Sequence, residues 1–332
     1  MSYIEKWYGT RKRPHYGETF AAANRRDPKA IPDLILYAGN ELFPLMVRST
    51  AVSLLANYDD TLSRKAIEKA LTDPYSLVRH SAINGFSPEN IKSFETLMKP
   101  LLNDPVKGIR IEAAIRLSTV PEDQLSLPVR KARKAALQEY KDVNLYVSDF
   151  PGGRYNLGIM YANAVDLEKA ADSYRSALKI DNLFYMAKVN LATIYNQQGK
   201  NDEAEKLLRE VLNENPEISQ VNYSLALLLA EKGNTSESRK YFLKAAGLMP
   251  DQTRIIYNLA LLENAQGNKV LAEEYMLKAL KAEPDNYDFL YAICTFYLQN
   301  KQNAKAEIYA SEIASRFPSS PVGNQLLQLA RK

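Results

Sequence analysis

Along residues 151–318 the apolar and small positions return every 34 residues. Leu157, Leu191, Leu225, Leu259 and Ile293 share this step, and so do Ala170, Ala204, Ser238, Ala272 and Ala306. Gly199, Gly233 and Gly267 follow it, as do Pro216, Pro250, Pro284 and Pro318. Five units result, starting near Pro151, Tyr185, Ser219, Thr253 and Tyr287. Each position has a physical reason in a pair of helices. The small residues Gly158, Ala192, Ala226, Ala260 and Cys294 let the first helix approach its partner. The glycines end that helix at a C′-type position, where the missing Cβ is an advantage. The alanine set lies inside the second helix, where the two cross. The prolines stop the second helix before the next unit.

The first half repeats on a shorter step of 31 residues. Arg48, Arg79 and Arg110 share it, with Ala51, Ala82 and Ala113, with Val47, Val78 and Ile109, and with Leu55, Phe86 and Leu117. Leu36, Ile67 and Met98 mark the preceding helix. Thr-Asp-Pro at 72–74 and Asn-Asp-Pro at 103–105 form the turns. Asp suits the N-cap and Pro the first helical position. Each Arg lies six residues after that Asp, which predicts a ladder of Asp and Arg along stacked helices. A half-unit is expected at 17–26, a short turn at 119–127, and a basic then amphipathic helix at 128–146.

Asn-Leu-Gly-Ile-Met-Tyr at 156–161, followed by Ala170, Tyr174 and Ala177, resembles the tetratricopeptide repeat. The signature recurs in Asn190–Tyr195 with Ala204 and Pro216, and in Leu225 with Phe242 and Pro250. Val165 stands where that pattern expects Gly, Asn182 where it expects Pro, and Glu263 where it expects an aromatic. The 31-residue units resemble HEAT-type helical repeats of the short, phycobilisome-lyase-like kind. The expected fold class is therefore all-α: a right-handed helical-repeat solenoid with a HEAT-like array followed by a five-repeat tetratricopeptide array. Its parts are a basic segment and cap over 1–29, HEAT-like repeats over 30–118, a connecting helix over 119–150, tetratricopeptide repeats over 151–318 and a capping helix over 319–332. This order, introduced by Arg-Pro-His-Tyr-Gly-Glu-Thr-Phe-Ala-Ala-Ala at 13–23, resembles the C-terminal half of certain bacterial multihaem c-type cytochromes. Those proteins carry Cys-x-x-Cys-His haem sites upstream. The present sequence has one cysteine and no such motif, so no c-type haem is attached to these residues.

The tetratricopeptide resemblance implies that the first helix of each pair lines a concave groove. Asn156, Asn190 and Asn258 occupy one equivalent position, interrupted by Ser224 and Ala292. Their amides either pair with the backbone of an extended peptide or satisfy neighbouring helix ends. Tyr155, Tyr223, Tyr257 and Tyr291 form a second column, with Val189 in the gap. They supply either groove contact area or packing between repeats. Arg254, Gln220, Asn196 and Asn264 are expected to face the same groove. The family's carboxylate clamp of Lys, Asn and Arg is not reproduced, since tyrosines stand where a clamp Lys would be; a chaperone-tail ligand is not expected.

Composition changes this picture little. The 332 residues are 46% hydrophobic and 25% charged, ordinary for a folded protein. The net charge of +4 lies wholly in residues 1–150, with 22 Lys and Arg against 18 Asp and Glu, while residues 151–332 hold 21 of each. That excess is too small to demand a nucleic-acid partner, which is the weakest of the three functional readings. Arg11, Lys12, Arg13, Arg25 and Arg26 make a local basic patch, read as solvated surface or as a meeting point for an acidic partner. His15 beside it reads as a surface or hydrogen-bonded histidine, with a haem in a neighbouring domain as the alternative; His80 reads as structural. Cys294 sits at a small-residue position and reads as a buried inert thiol. No phosphate loop, catalytic triad or paired-carboxylate set appears, so no enzyme, cofactor or metal is expected. The expected function is a scaffold that binds an extended or helical protein segment in the groove. Its alternative is the accessory half of a multihaem cytochrome, with a haem-bearing domain as partner. The opening residues show no secretory h-region, and the longest apolar stretches, such as Leu225–Ala230, fall far short of a membrane span. The chain as it stands is expected to be cytoplasmic, or periplasmic or extracellular if it is part of an exported cytochrome.

Overall fold

The computed structural model describes residues 15–331, and every regular element among them is helical. The chain divides into two compact units, Met1–Val165 and Asp166–Lys332. The division falls between the two helices of the first 34-residue repeat.

The first unit holds α1 (Tyr16–Asn24), α2 (Ile31–Gly39), α3 (Leu45–Leu55), α4 (Thr61–Ala70), α5 (Ser76–Gly85), α6 (Ile91–Leu101), α7 (Lys107–Leu117), α8 (Leu127–Tyr146) and α9 (Pro151–Asn163). Helices α3, α5, α7 and α8 contact one another in succession; α2 lies on α3 and α4, and α6 on α7 and α8. The 31-residue step puts Ala51, Ala82, Ala113, Leu55, Phe86 and Leu117 in one buried core. Leu36 lies in α2 as expected, but it stays 49% exposed where its counterparts Ile67 and Met98 are buried. Leu34, Tyr37 and Ala38 follow the three-and-four spacing of a helix face and turn inward instead, leaving position 36 off that face.

The ladder of Arg and Asp is present. Buried Arg48 pairs with Asp73, and its Nε donates to the Ala38 carbonyl at 3.3 Å. Arg79 Nη1 donates to the carbonyls of Asp73 (2.8 Å) and Pro74 (3.0 Å), while Nη2 reaches Asp104 Oδ1 at 2.8 Å. Arg110 Nη1 repeats the grip on Asp104 (2.7 Å) and Pro105 (3.2 Å). Its remaining nitrogens meet the Glu139 carboxylate of α8, the closest at 2.8 Å. Each Arg thus ties its own turn to the next unit, and the series closes on a Glu instead of another Asp-Pro turn. Asp73 and Asp104 are not the N-caps of α5 and α7. Each lies three residues ahead of its helix and accepts the N–H two residues on, from Tyr75 (3.0 Å) and Val106 (2.8 Å). That turn leaves carboxylate oxygen for the guanidinium of the preceding unit.

The second unit holds α10 (Leu167–Ile180), α11 (Tyr185–Gln197), α12 (Asn201–Glu214), α13 (Ser219–Glu231), α14 (Thr235–Leu248), α15 (Thr253–Ala265), α16 (Lys269–Ala282), α17 (Tyr287–Gln299), α18 (Asn303–Arg316) and α19 (Val322–Ala330). Each first helix closes with a left-handed residue: Gly199 (φ 74°), Gly233 (φ 77°), Gly267 (φ 79°) and Lys301 (φ 57°). The next N–H then reaches back five residues, as in Lys200 to Tyr195 O (2.8 Å) and Gln302 to Tyr297 O (2.9 Å). This is the Schellman closure, for which glycine is the low-strain residue. Val165, at the end of α9 in the first unit, adopts the same φ of 59° with a β-branched side chain 77% exposed. Asn215 (φ −135°), Met249 (φ −134°), Glu283 (φ −131°) and Phe317 (φ −125°) close second helices with non-helical backbone ahead of a proline, which disfavours the helical region there; Asp181 (φ −138°) does the same ahead of Asn182. Ala170, Ala204, Ser238, Ala272 and Ala306 are all fully buried at the crossings. Glu263, where the repeat pattern expects an aromatic, is also fully buried. It accepts from Arg239 Nε at 2.5 Å and Asn268 Nδ2 at 2.7 Å, which supply the partners a buried carboxylate needs.

Charged side chains of the second helices form a network with Lys232, the C-cap residue of α13. Arg209 meets Glu205 (2.8 Å) and Glu237 (2.7 Å), and Lys232 meets Glu205 (2.6 Å) and Asp202 (2.5 Å). The Lys232 hydrogen bond holds Glu205, and the Arg209 hydrogen bond holds Glu237, below the ordinary 4.5.

Three outcomes follow. Asp104→Ala strands buried Arg79 and is expected to destabilise by about 3–5 kcal/mol; a urea midpoint unchanged within error would refute the ladder's structural role. Val165→Gly relieves a left-handed valine and is expected to stabilise by about 0.5–1 kcal/mol, after glycine's larger unfolded-state entropy is subtracted; a lower melting temperature would count against the strain. The lowered carboxylates stabilise fully above pH 4.5, and this contribution is lost as pH falls through their folded values. Glu205→Gln should therefore flatten the acid limb of thermal stability, and an unaltered limb would contradict the assignment.

Candidate partner groove

Leu191, Leu225, Leu259 and Ile293 of the first helices in the second unit are all buried, Leu225 in a core with Ala204, Leu208 and Val211 of α12 and Leu259 in one with Phe242 and Ala245 of α14. The residues expected to form the columns differ in exposure. Tyr223 and Tyr257 are half-buried, and Tyr291 is 42% exposed. Tyr257 rests against Phe289 with ring centroids 4.8 Å apart, and Arg254 lies over the Tyr257 ring at 5.5 Å. Tyr291 stacks on Tyr287 at 6.2 Å, and Tyr287 meets the edge of Phe317 at 5.2 Å. The tyrosine column therefore combines packing between repeats with accessible ring area. Burial pushes the Tyr223 and Tyr257 phenols above their ordinary 10.0, so both hydroxyls stay protonated as hydrogen-bonding groups at neutral pH.

The Asn positions make intramolecular bonds. Asn258 Nδ2 donates to Tyr223 Oη at 2.6 Å, and Asn190 Nδ2 to buried Tyr174 Oη at 3.4 Å. Asn196 Nδ2 donates to Asn201 Oδ1 (3.2 Å) and Glu231 Oε2 (2.8 Å). Gln220 is exposed and Asn264 half-buried. Arg254 pairs with Asp288 at 3.2 Å, the residue one repeat onward in its own column. That Asp was missed, although the 34-residue step already placed it beside Arg254. Also missed were Leu261, which keeps 39% of its surface, and Met186, with 40%.

Tyr155 and Asn156 lie on α9, in the first unit. Both are half-buried there, and Asn156 Nδ2 donates to Asn144 Oδ1 at 2.9 Å. Of the basic patch, Arg25 and Arg26 are exposed just after α1, whereas Arg11, Lys12 and Arg13 lie outside the described residues. His15 caps α1: its Nδ1 accepts from Gly17 N at 3.1 Å, which puts the neutral ring's proton on Nε2. His80, read as structural in a packed helix, is exposed, with Nε2 3.3 Å from Asn84 Nδ2. The Cys294 thiol is buried 3.4 Å from the Ala306 carbonyl, and burial pushes its pKa up to about 11, which removes thiolate reactivity. Among the described residues no three His, Cys, Asp or Glu side chains cluster to hold a metal, and no helix is long and apolar enough to cross a membrane.

Residues 189–253 and 257–321 each match the profile of the tetratricopeptide repeat. The second unit carries tetratricopeptide repeats. No curated protein matches the chain. Among solved structures, MamA is 17% identical, covering 50% of this chain and 91% of its own, with a TM-score of 0.47. YrrB, described as a TPR protein with an unusual peptide-binding site, is 16% identical over 57% of this chain and 97% of its own, with a TM-score of 0.48. PilW, described as a widely conserved type IV pilus biogenesis factor, is 24% identical over 55% of this chain and 89% of its own, at 0.48.

The Asn258–Tyr223 bond favours the phenolate, because a donor to the phenol oxygen stabilises the charged form. Asn258→Ala is expected to move Tyr223 ionisation to higher pH, read from its ring-carbon NMR shift in labelled protein. Titration unchanged from the parent would mean the bond is not formed in solution.

Proposed function

We propose that the chain is a protein-interaction scaffold, not an enzyme, and that α11, α13, α15 and α17 hold an extended or helical segment of a partner. The observation that carries this reading is the partly exposed tyrosine column beside an ion pair that neutralises its own charge. Large amphipathic rings give contact area with little rotamer entropy to lose, and Arg254 with Asp288 adds no net charge. Gln220, Asn190, Asn258, Asn196 and Asn264 supply amides along the same face, suited to backbone groups of a bound segment. The match to the tetratricopeptide repeat supports a binding role of this kind. Once a partner has been recovered from source cells by cross-linking, Tyr291→Ala and Tyr257→Ala are each expected to weaken it about tenfold in calorimetry. Affinities within twofold of the parent, with circular dichroism unchanged, would discard the groove.

A second reading makes the first array HEAT-like and the whole chain the accessory part of a multihaem c-type cytochrome. It rests on the 31-residue step with its Arg–Asp rungs and on the motif at 13–23, whose first two residues lie outside the described residues. Under this reading the chain works outside the cytoplasm and haem sits on residues beyond the present sequence; under the first, the cytoplasm is the expected compartment. His15 already accepts from Gly17 N through Nδ1 as the cap of α1, so ligation through that nitrogen would cost the helix its cap. A blot of source cells with antibody to residues 151–332, stained also for covalent haem, separates the two. A haem-positive band above 37.5 kDa favours the cytochrome, and a haem-free band at that mass favours the free-standing scaffold.

A further inference from the structure

The tyrosine column reaches its last member at Tyr291, and there the surface changes. Helix α19 packs on α17 and α18. With α17 it walls a cavity of about 440 Å³ lined by Tyr287, Tyr291, Val322, Gln325, Leu326 and Leu329. No Asp, Glu, Lys, Arg or His is among these lining residues, and Gln325 carries the one amide. Leu326 is buried, while Leu329 keeps 51% of its surface exposed next to Tyr291. The walls are fixed in place. Tyr287 is held by Phe317, and α19 sits so close to α18 that a Cβ on Gly323 would lie 2.4 Å from Ala314 N.

We infer that this cavity takes one bulky apolar side chain, of leucine to tryptophan size, carried on an uncharged stretch of the bound segment. The inference rests on the groove reading and adds to it the class of residue that anchors the segment's end. The choice of occupant follows from charge. A carboxylate or ammonium group entering the cavity would shed water and find no ionic partner among the described lining residues, and the ion pair of the column, Arg254 with Asp288, is already satisfied. An apolar group loses nothing of that kind and covers Leu329 and the Tyr291 ring. The Gln325 amide offers both a donor and an acceptor to the backbone that carries it. The volume lies in the range of small-ligand sites and exceeds one side chain, which leaves room for that backbone. Because the walls are held before binding, little ordering opposes it.

The test uses the full chain with labelled Leu and Val methyl groups, and N-acetyl amides of Leu, Phe, Trp, Lys and Glu as probes. Expected are saturable shifts of the Val322, Leu326 and Leu329 methyls with the three apolar amides and none with the charged ones. Leu329→Glu should weaken the apolar probes about tenfold with circular dichroism unchanged, and Leu329→Met should bind them as the parent does. Equal shifts from charged and apolar amides, or no saturation up to the solubility limit, would overturn the inference. So would methyl shifts that follow protein concentration without any probe and vanish in Leu329→Glu, because the occupant would then be a second copy of the chain. The probes bind without any partner protein. Failure of the groove in the Tyr257→Ala and Tyr291→Ala experiment is therefore read separately from failure of this cavity.

Discussion

The left-handed residue that closes each first helix is the constraint on which the second unit's surface depends. It reverses the chain in a fixed number of residues, so successive helices start at the same phase. Glycine supplies this at 199, 233 and 267, and Lys301 holds the same conformation despite its Cβ. The closure is over-determined by the two hydrogen bonds of the turn and by the crossing of the paired helices. A non-glycine residue is therefore held in a conformation that local preference disfavours. Only because the phase repeats do Tyr223, Tyr257 and Tyr291 come to lie in one line.

The first unit keeps its phase by a different means. Among the described residues its turns contain no left-handed glycine; a guanidinium reaches from one turn to the next, and buried Arg48, Arg79 and Asp104 are admitted because each has its partners. A buried charge pair of this kind adds little net stability over an apolar replacement, yet losing one member costs several kcal/mol. Its effect is to reject slipped stacking, since a slip leaves charges without partners. Among its described residues the second unit buries one charged side chain, Glu263, and otherwise relies on small residues at the crossings.

The groove face combines the two readings that its residue types allowed. The amides of Asn190 and Asn258 bond to tyrosine hydroxyls on the same chain, so they hold rings in place as well as lining the face. Preorganised rings bind with less entropy to lose. Under the proposed scaffold role, with Arg254 neutralised by Asp288, recognition along this face would fall to shape, apolar contact and amide hydrogen bonds.

Much of this was legible before any coordinates. A repeat is a local pattern, so its period, its helix ends at glycine and proline, the small residues at crossings and the pairing of Arg with Asp one unit onward could all be read from spacing. The all-helical class follows from the same spacing. What the sequence left open depends on angles between stacked helices. Leu36 faces outward, Asp73 and Asp104 sit three residues ahead of their helices, and the chain divides inside the first repeat, with Tyr155 and Asn156 on the first unit. Asn156 finds Asn144, Asn258 finds Tyr223, and Glu263 finds Arg239, partners 12 to 35 residues away. A hydrogen bond tolerates only a few tenths of an ångström in length. The sequence by itself therefore determined which residue types recur and at what step, while the tertiary structure alone decided which polar groups meet.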